Sequence, residues 1–145
     1  SCGMTLEEVK QMLQTRSGLY GMSGGAGRDL RDVQAAAEAG NEDAELTIRA
    51  YCYSIKKYIG AYAAAMGGLD AIVFGGGIGL GSALVRAMSL EGLEFLGVKL
   101  DGFKNRMAVA GMDISMDDAP VRVFVVHTDE EIIVARKAQS FLEQK

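Results

Sequence analysis

Residues Ile72 to Arg86 read IVFGGGIGLGSALVR: an apolar run, then five glycines within Gly75–Gly81, then a helical pattern. That order is strand, glycine loop, helix start. Such a junction brings backbone N–H groups and the positive end of a helix towards an anionic ligand. Glycine suits it because no Cβ obstructs a close approach. Plain α/β domains also use glycine at strand-to-helix turns, so the stretch decides the layering before it decides any binding.

Elements on either side continue the alternation. Thr5-Leu-Glu-Glu8 is a capping-box pattern and predicts a short helix to about Leu13. Ser17 to Gly27 (SGLYGMSGGAG) reads as loop. Asp29 or Asp32 then caps a short helix over Val33 to Ala39 that ends at Gly40. Asn41 or Asp43 opens the longest element, running to about Met66. Its apolar residues Ile48, Cys52, Ile55, Ile59, Tyr62 and Met66 fall at 4-3-4-3-4 steps and predict one buried helical face. Ala71–Phe74 is a short strand, and Ser82 caps a helix to about Leu90. Val98–Leu100 and Met112–Ile114 are short strands. Val121 to Val126 (VRVFVV) is a strand rich in β-branched residues, and Asp129 caps a final helix to about Leu142 that lies against the sheet. Strands alternating with helices imply an α/β fold, a mixed sheet flanked by helices.

The chain has 145 residues, enough for one domain, 1–145, with a real core. Apolar residues make up 49% and charged residues 23%, a balance that excludes disorder. The net charge of −4 comes without a basic stripe, which argues against a nucleic-acid partner. No apolar run reaches membrane-spanning length and no signal-peptide pattern opens the chain, so a cytoplasmic protein without a membrane partner is expected. Cys2 and Cys52 make no disulfide framework, and Cys52 reads as a buried apolar residue.

Three polar clusters stand where elements begin or end: Arg28-Asp29-Leu30-Arg31-Asp32, the glycine loop, and His127-Thr128-Asp129-Glu130-Glu131. The last two follow strands, and ligands of open α/β sheets gather at the carboxyl ends of strands. Each cluster also has a purely structural reading. The Arg/Asp cluster serves as a solvated cap, and the acids after Thr128 serve as first-turn residues that suit a helix dipole. His127 has no serine, cysteine or metal partner in the pattern.

In order along the chain, these segments resemble the carboxyl-terminal domain of the acetate kinases. The resemblance is carried by TLEEV from Thr5, SGLYGMSG from Ser17, DLRDV from Asp29 and KKYIGAYAAAMGGLDAIVFGGGIG from Lys56. LEGLEFLGVKLD from Leu90 and HTDEE from His127 complete it. It implies a ribonuclease H-like domain of the sugar kinase, heat-shock chaperone and actin superfamily. It also implies a phosphotransferase in which phosphate passes between ATP and acetate, with Mg2+, to give acetyl phosphate and ADP. By position, Asp29, Leu30 and Arg31 match the adenosine side of the nucleotide site. Gly77, Ile78, Gly79, Leu80 and Gly81 match its second nucleotide-binding loop, and Glu130 matches the magnesium-site glutamate, an oxygen ligand suited to a hard cation. No catalytic residue is assigned on this chain. The family's catalytic histidine and aspartate, its substrate arginines and its magnesium-binding asparagine belong to an amino-terminal kinase domain.

Two positions depart from the family pattern. Leu80-Gly81 replaces a Glu-Asn pair, a change worth about 1 kcal/mol if one neutral contact is lost. His127 stands where Pro is common. The resemblance further implies a homodimer, with the small residues Gly60, Ala61, Ala63, Ala64 and Ala65 of the long helix as its surface. The alternatives are an inactive fragment serving as a nucleotide-binding or dimerisation module, and the domain of a propionate or butyrate kinase.

Overall fold

A computed structural model describes residues 3–143. They group into two compact units, one ending at Gly67 and one beginning at Gly68.

The first unit is helical. Helix α1 (Leu6–Thr15) starts with the expected capping box. Thr5 Oγ1 accepts the Glu8 N–H at 3.3 Å, and Glu8 Oε2 accepts the Thr5 N–H at 2.7 Å. Those bonds from Thr5, backbone first, hold the Glu8 carboxyl below its ordinary value. The segment expected as loop contains a further short helix, α2 (Gly18–Met22). Its glycines hide any apolar period, and it is closed by local bonds such as Ser23 N–H to the Leu19 carbonyl at 3.0 Å.

Helix α3 (Leu30–Glu38) is capped by Asp29, and α4 (Glu42–Met66) by Asn41, whose Oδ1 accepts the Ala44 N–H at 2.9 Å. The two helices pack together. Leu30 and Val33 of α3 are buried, as are Ala44, Ile48 and Cys52 of α4. Complete burial of each aliphatic side chain contributes about 1.5–3 kcal/mol. The long apolar stripe holds only for its first half. Ile55 and Ile59 are half-buried, while Tyr62 and Met66 are 61% and 66% exposed. Eighteen residues make five full turns, so Met66 keeps the face of Ile48 and the stripe itself does not wander. What runs out is the partner: α2 and α3, which pack on α4, are 5 and 9 residues long against its 25.

The second unit is built on a three-stranded sheet of β1 (Ala71–Phe74), β2 (Met112–Asp113) and β3 (Arg122–Val125), in the order β1-β3-β2. β1 runs parallel to β3, with Ile72 opposite Val123 and Phe74 opposite Val125, and β2 runs antiparallel to β3. The sheet is therefore mixed. Phe74, Val121, Val123 and Val125 are buried, whereas Arg122 and Phe124 between them are half-buried, the alternation expected of a strand with one face in the core.

Among the described residues four α-helices accompany the sheet, α5 (Gly76–Gly81), α6 (Ala83–Leu90), α7 (Gly102–Arg106) and α8 (Glu130–Glu143), with a short 3-10 helix over Glu94–Leu96. The strand expected over Val98–Leu100 shrinks to single bridges, Val98 with Val121 and Leu100 with Ser115. Asp101 ends it by starting α7, its Oδ1 accepting the Phe103 and Lys104 N–H groups, both at 2.9 Å. The final helix forms as expected but does not lie against the sheet. Every described side chain of α8 is exposed, including Ile133, Val134, Phe141 and Leu142.

Candidate functional site

The parallel pairing of β1 and β3 brings two of the three polar clusters together. Val126 N–H donates to the Phe74 carbonyl at 2.9 Å, carrying the ladder one step past β3. The chain leaves both strands at the same end. Gly76 N–H then donates to Thr128 Oγ1 at 3.1 Å, tying the glycine segment to the turn His127–Glu131.

The glycine segment is a helix, α5, not the expected loop. Its glycines answer different demands. Gly76 lies at φ +70°, where a side chain is strained. Gly79 is buried, and a Cβ there would lie 3.1 Å from the Phe74 carbonyl carbon, so it lets α5 close onto the end of β1. Gly77 and Gly81 are exposed, and a Cβ on either would meet nothing within 4 Å. Glycine inside a helix costs about 1 kcal/mol relative to alanine. Nothing in the fold offsets that cost at Gly77 and Gly81. Ile78 is exposed at the edge of this bare surface, and Leu80 is half-buried.

The other end of α5 is held by Arg86, which the sequence pattern did not single out. Only 2% of Arg86 is exposed. Its Nη1 donates to the Gly79 and Leu80 carbonyls at 2.8 and 2.9 Å. Its Nε donates to Asn105 Oδ1, and its Nη2 to the Asn105 carbonyl, both at 2.7 Å. These carbonyls belong to the last turns of α5 and α7, where the helix dipoles are negative and carbonyls lack intrahelical partners. Desolvation pushes the guanidinium below its ordinary value, but charge-assisted bonds hold it. Asn105 completes the knot, its Nδ2 donating to the Ala83 carbonyl at 2.9 Å. An arginine inside the apolar run Leu84-Val85-Arg86-Ala87-Met88 was the available signal.

The remaining site residues divide between the units. Asp29, Leu30 and Arg31 belong to the first unit, at the start of α3. Asp29 Oδ1 accepts the Arg31 N–H at 2.9 Å, and the Arg31 guanidinium grips both carboxylate oxygens, Nε at 3.0 Å and Nη2 at 2.7 Å. This clasp by Arg31, side chain first, lowers the Asp29 carboxyl to about 2. The Arg31 side chain remains exposed, whereas Leu30 is buried and offers a ligand only its backbone.

In the second unit Asp129 Oδ1 accepts the Ile132 N–H at 3.1 Å, the expected cap of α8. His127 is exposed. Glu130 opens α8, and its side chain lies outside the described ones. Among the described residues, no three His, Cys, Asp or Glu side chains converge to hold a metal ion. The carboxylate-rich turn fits Mg2+ in one sense only: that cation is commonly held by one or two carboxylates, waters and substrate phosphates.

A mixed sheet flanked by helices, with glycine-rich and acidic connectors side by side at the carboxyl ends of parallel strands, is consistent with the actin-like class of domains. Within it the chain belongs to the acetokinase family, whose model matches residues 1–136. It is 47% identical over 142 residues to the acetate kinase of Bacteroides fragilis, covering 98% of this chain and 35% of that relative. It is 43% identical over 141 residues to the acetate kinase of Methanosarcina thermophila, covering 97% of this chain and 34% of that relative. Among solved structures, Porphyromonas gingivalis acetate kinase superposes with a TM-score of 0.86 at 39% identity, over 97% of this chain and 35% of that one. A propionate kinase from Francisella tularensis superposes with a TM-score of 0.81 at 32% identity, over 92% of this chain and 33% of that one. The chain therefore spans only a part of the length of the relatives it matches.

Proposed function

We propose that this chain is the carboxyl-terminal, nucleotide-binding domain of an acetate kinase, its two compact units acting together as that domain. In the whole enzyme a phosphoryl group would pass between ATP and acetate, giving acetyl phosphate and ADP. The observation that carries the reading is the bare surface at Gly77 and Gly81. Two helix-weakening glycines with no packing role suit a segment that a ligand approaches closely. Ile78, Gly79 and Leu80 complete that segment.

Asp29, the Leu30 backbone and Arg31 would line the adenosine side. Glu130 would supply a carboxylate to Mg2+, which neutralises phosphate charge in such reactions. Phosphoryl transfer rests on positioned positive charge around the moving group. The chain alone is accordingly expected to be inactive and to need the amino-terminal portion that its relatives possess. The proposed setting is cytoplasmic, as a homodimer joined through the exposed side of α4, where Tyr58 and Tyr62 stack with centroids 6.2 Å apart.

The likeness to a propionate kinase favours a second reading in which the acyl group is propionyl. The domain assignment is tested in a chimera in which this chain replaces the matching part of the Bacteroides fragilis enzyme, with acyl phosphate trapped as hydroxamate. Acyl phosphate formation supports the assignment, and a folded chimera that forms none overturns it. The acyl group is read from the whole enzyme to which the chain is proposed to belong, by comparing acetate with propionate. Turnover by the 145-residue chain alone would overturn the division of labour.

A further inference from the structure

We propose that Thr128 is the positioning residue that sets the glycine segment in register with the acidic turn, so that nucleotide and cation ligands are presented together. The inference rests on the reading that Gly77–Gly81 takes a nucleotide. The geometry is specific to this side chain. Its hydroxyl accepts the N–H of Gly76, the first residue of α5, at 3.1 Å. Its Cγ2 methyl lies 2.8 Å from where a Cβ of Gly75 would stand. Gly75 therefore stays bare so that the methyl can close over the turn.

The residue before a helix normally caps the N–H groups of the second or third helical residue, and the first N–H must find an acceptor elsewhere. Gly75 has no side chain to cap with, and the first N–H, that of Gly76, takes its acceptor from the connector of the neighbouring strand. Thr128 is followed at once by Asp129, the cap of α8, and by Glu130. A single hydroxyl thus joins the start of α5 to the start of α8. Arg86 holds the other end of α5 through carbonyls, so the segment is fixed at both ends, and only the Thr128 end touches the acidic turn.

The two functions of the side chain can be removed separately. Thr128→Val keeps the methyl shape and removes the acceptor, whereas Thr128→Ser keeps the acceptor. Two measurements are made, with thermal melting as the control for folding. The first is amide exchange at Gly76 in the 145-residue chain, followed by NMR. The second is the nucleotide KM, set against kcat, in the chimera described above.

Thr128→Val is expected to speed Gly76 exchange roughly ten-fold and to raise the nucleotide KM roughly five-fold, the factor one neutral hydrogen bond is worth. The effect on kcat should be smaller, and Thr128→Ser should restore both readouts. Unchanged Gly76 exchange in Thr128→Val overturns the proposal whatever the chimera does. So does a Thr128→Ser protein as impaired as Thr128→Val. If ATP protects the 76–81 amides of the chimera yet Thr128→Val leaves KM unchanged, the positioning role fails and the nucleotide reading stands. If ATP leaves those amides unprotected, the nucleotide reading fails and this inference with it.

Discussion

Replacing Gly77 by alanine should make the protein more stable and weaken the nucleotide binding proposed for this segment. Gly77 sits inside α5 with an ordinary negative φ, and a Cβ there meets nothing within 4 Å. Alanine therefore collects the helix-propensity gain without strain, about 0.5–1 kcal/mol near a helix start. For a unit of this size that corresponds to about 3–6 °C in Tm. The added methyl would project from the surface that a nucleotide is proposed to approach, and ATP affinity should fall roughly five-fold, the scale of one lost contact.

Gly79→Val is the comparator, because the same segment should answer in the opposite sense. Its Cβ would lie 3.1 Å from the Phe74 carbonyl carbon and 3.3 Å from the Phe74 Cβ, and the strand cannot easily give way. Overpacking of this kind costs about 1–3 kcal/mol, more than the few tenths that leaving glycine returns. Melting by circular dichroism of both variants, with ATP KM in the chimera, tests the pair. A Gly77→Ala protein that melts lower than the parent would refute the view that this surface is bare. A stabilised Gly77→Ala protein with unchanged ATP affinity would remove Gly77 from the site.

Three further outcomes are expected. Arg86→Met should lower stability by about 3–5 kcal/mol in urea unfolding, because the Gly79, Leu80 and Asn105 carbonyls lose their buried donor. Arg86→Lys should recover only part of this, since an ammonium cannot reproduce the fork. Asp29 should titrate at about 2 by carboxyl NMR, and Arg31→Ala should return it towards the ordinary 3.8. Its folded value is depressed, so its stabilising contribution is complete above about 4 and disappears as pH falls through about 2. The double change Leu80→Glu with Gly81→Asn should fold, since a Cβ at Gly81 meets nothing, and should lower the ATP KM several-fold. A raised KM would count against a polar contact at these positions.

Much of the architecture was legible because it rests on local chemistry. The Thr5–Glu8 capping box, the Asp29, Asn41 and Ser82 caps and the β-branched run of β3 each carry their cause within a few residues. What failed depended on partners. The stripe on α4 keeps its face from Ile48 to Met66, but the short helices α2 and α3 that pack on α4 are far shorter than it, and a periodicity does not show how much of a face finds a partner. The α8 helix was correctly bounded by its acids, yet burial is a property of neighbours, and its apolar residues stand in solvent. Arg86 was passed over because a lone arginine in an apolar run is ambiguous until the carbonyls it meets are in place.

The glycine run shows how composition can point to a feature while misdescribing it. Five glycines in seven positions suggested one loop. The structure divides them into Gly76 for backbone angle, Gly75 and Gly79 for close approach of Thr128 and Phe74, and Gly77 and Gly81 with no internal role. The first three build a short helix pinned at its head by Thr128 and at its tail by Arg86. Only Gly77 and Gly81 are exposed with neither a backbone angle nor a close neighbour that demands glycine. A rigid segment with a bare face presents backbone groups without the ordering cost that a floppy loop would add on binding. The functional argument therefore rests on the two glycines that folding does not need, not on glycine content as such. Gly77→Ala is the substitution that separates folding from binding most cleanly.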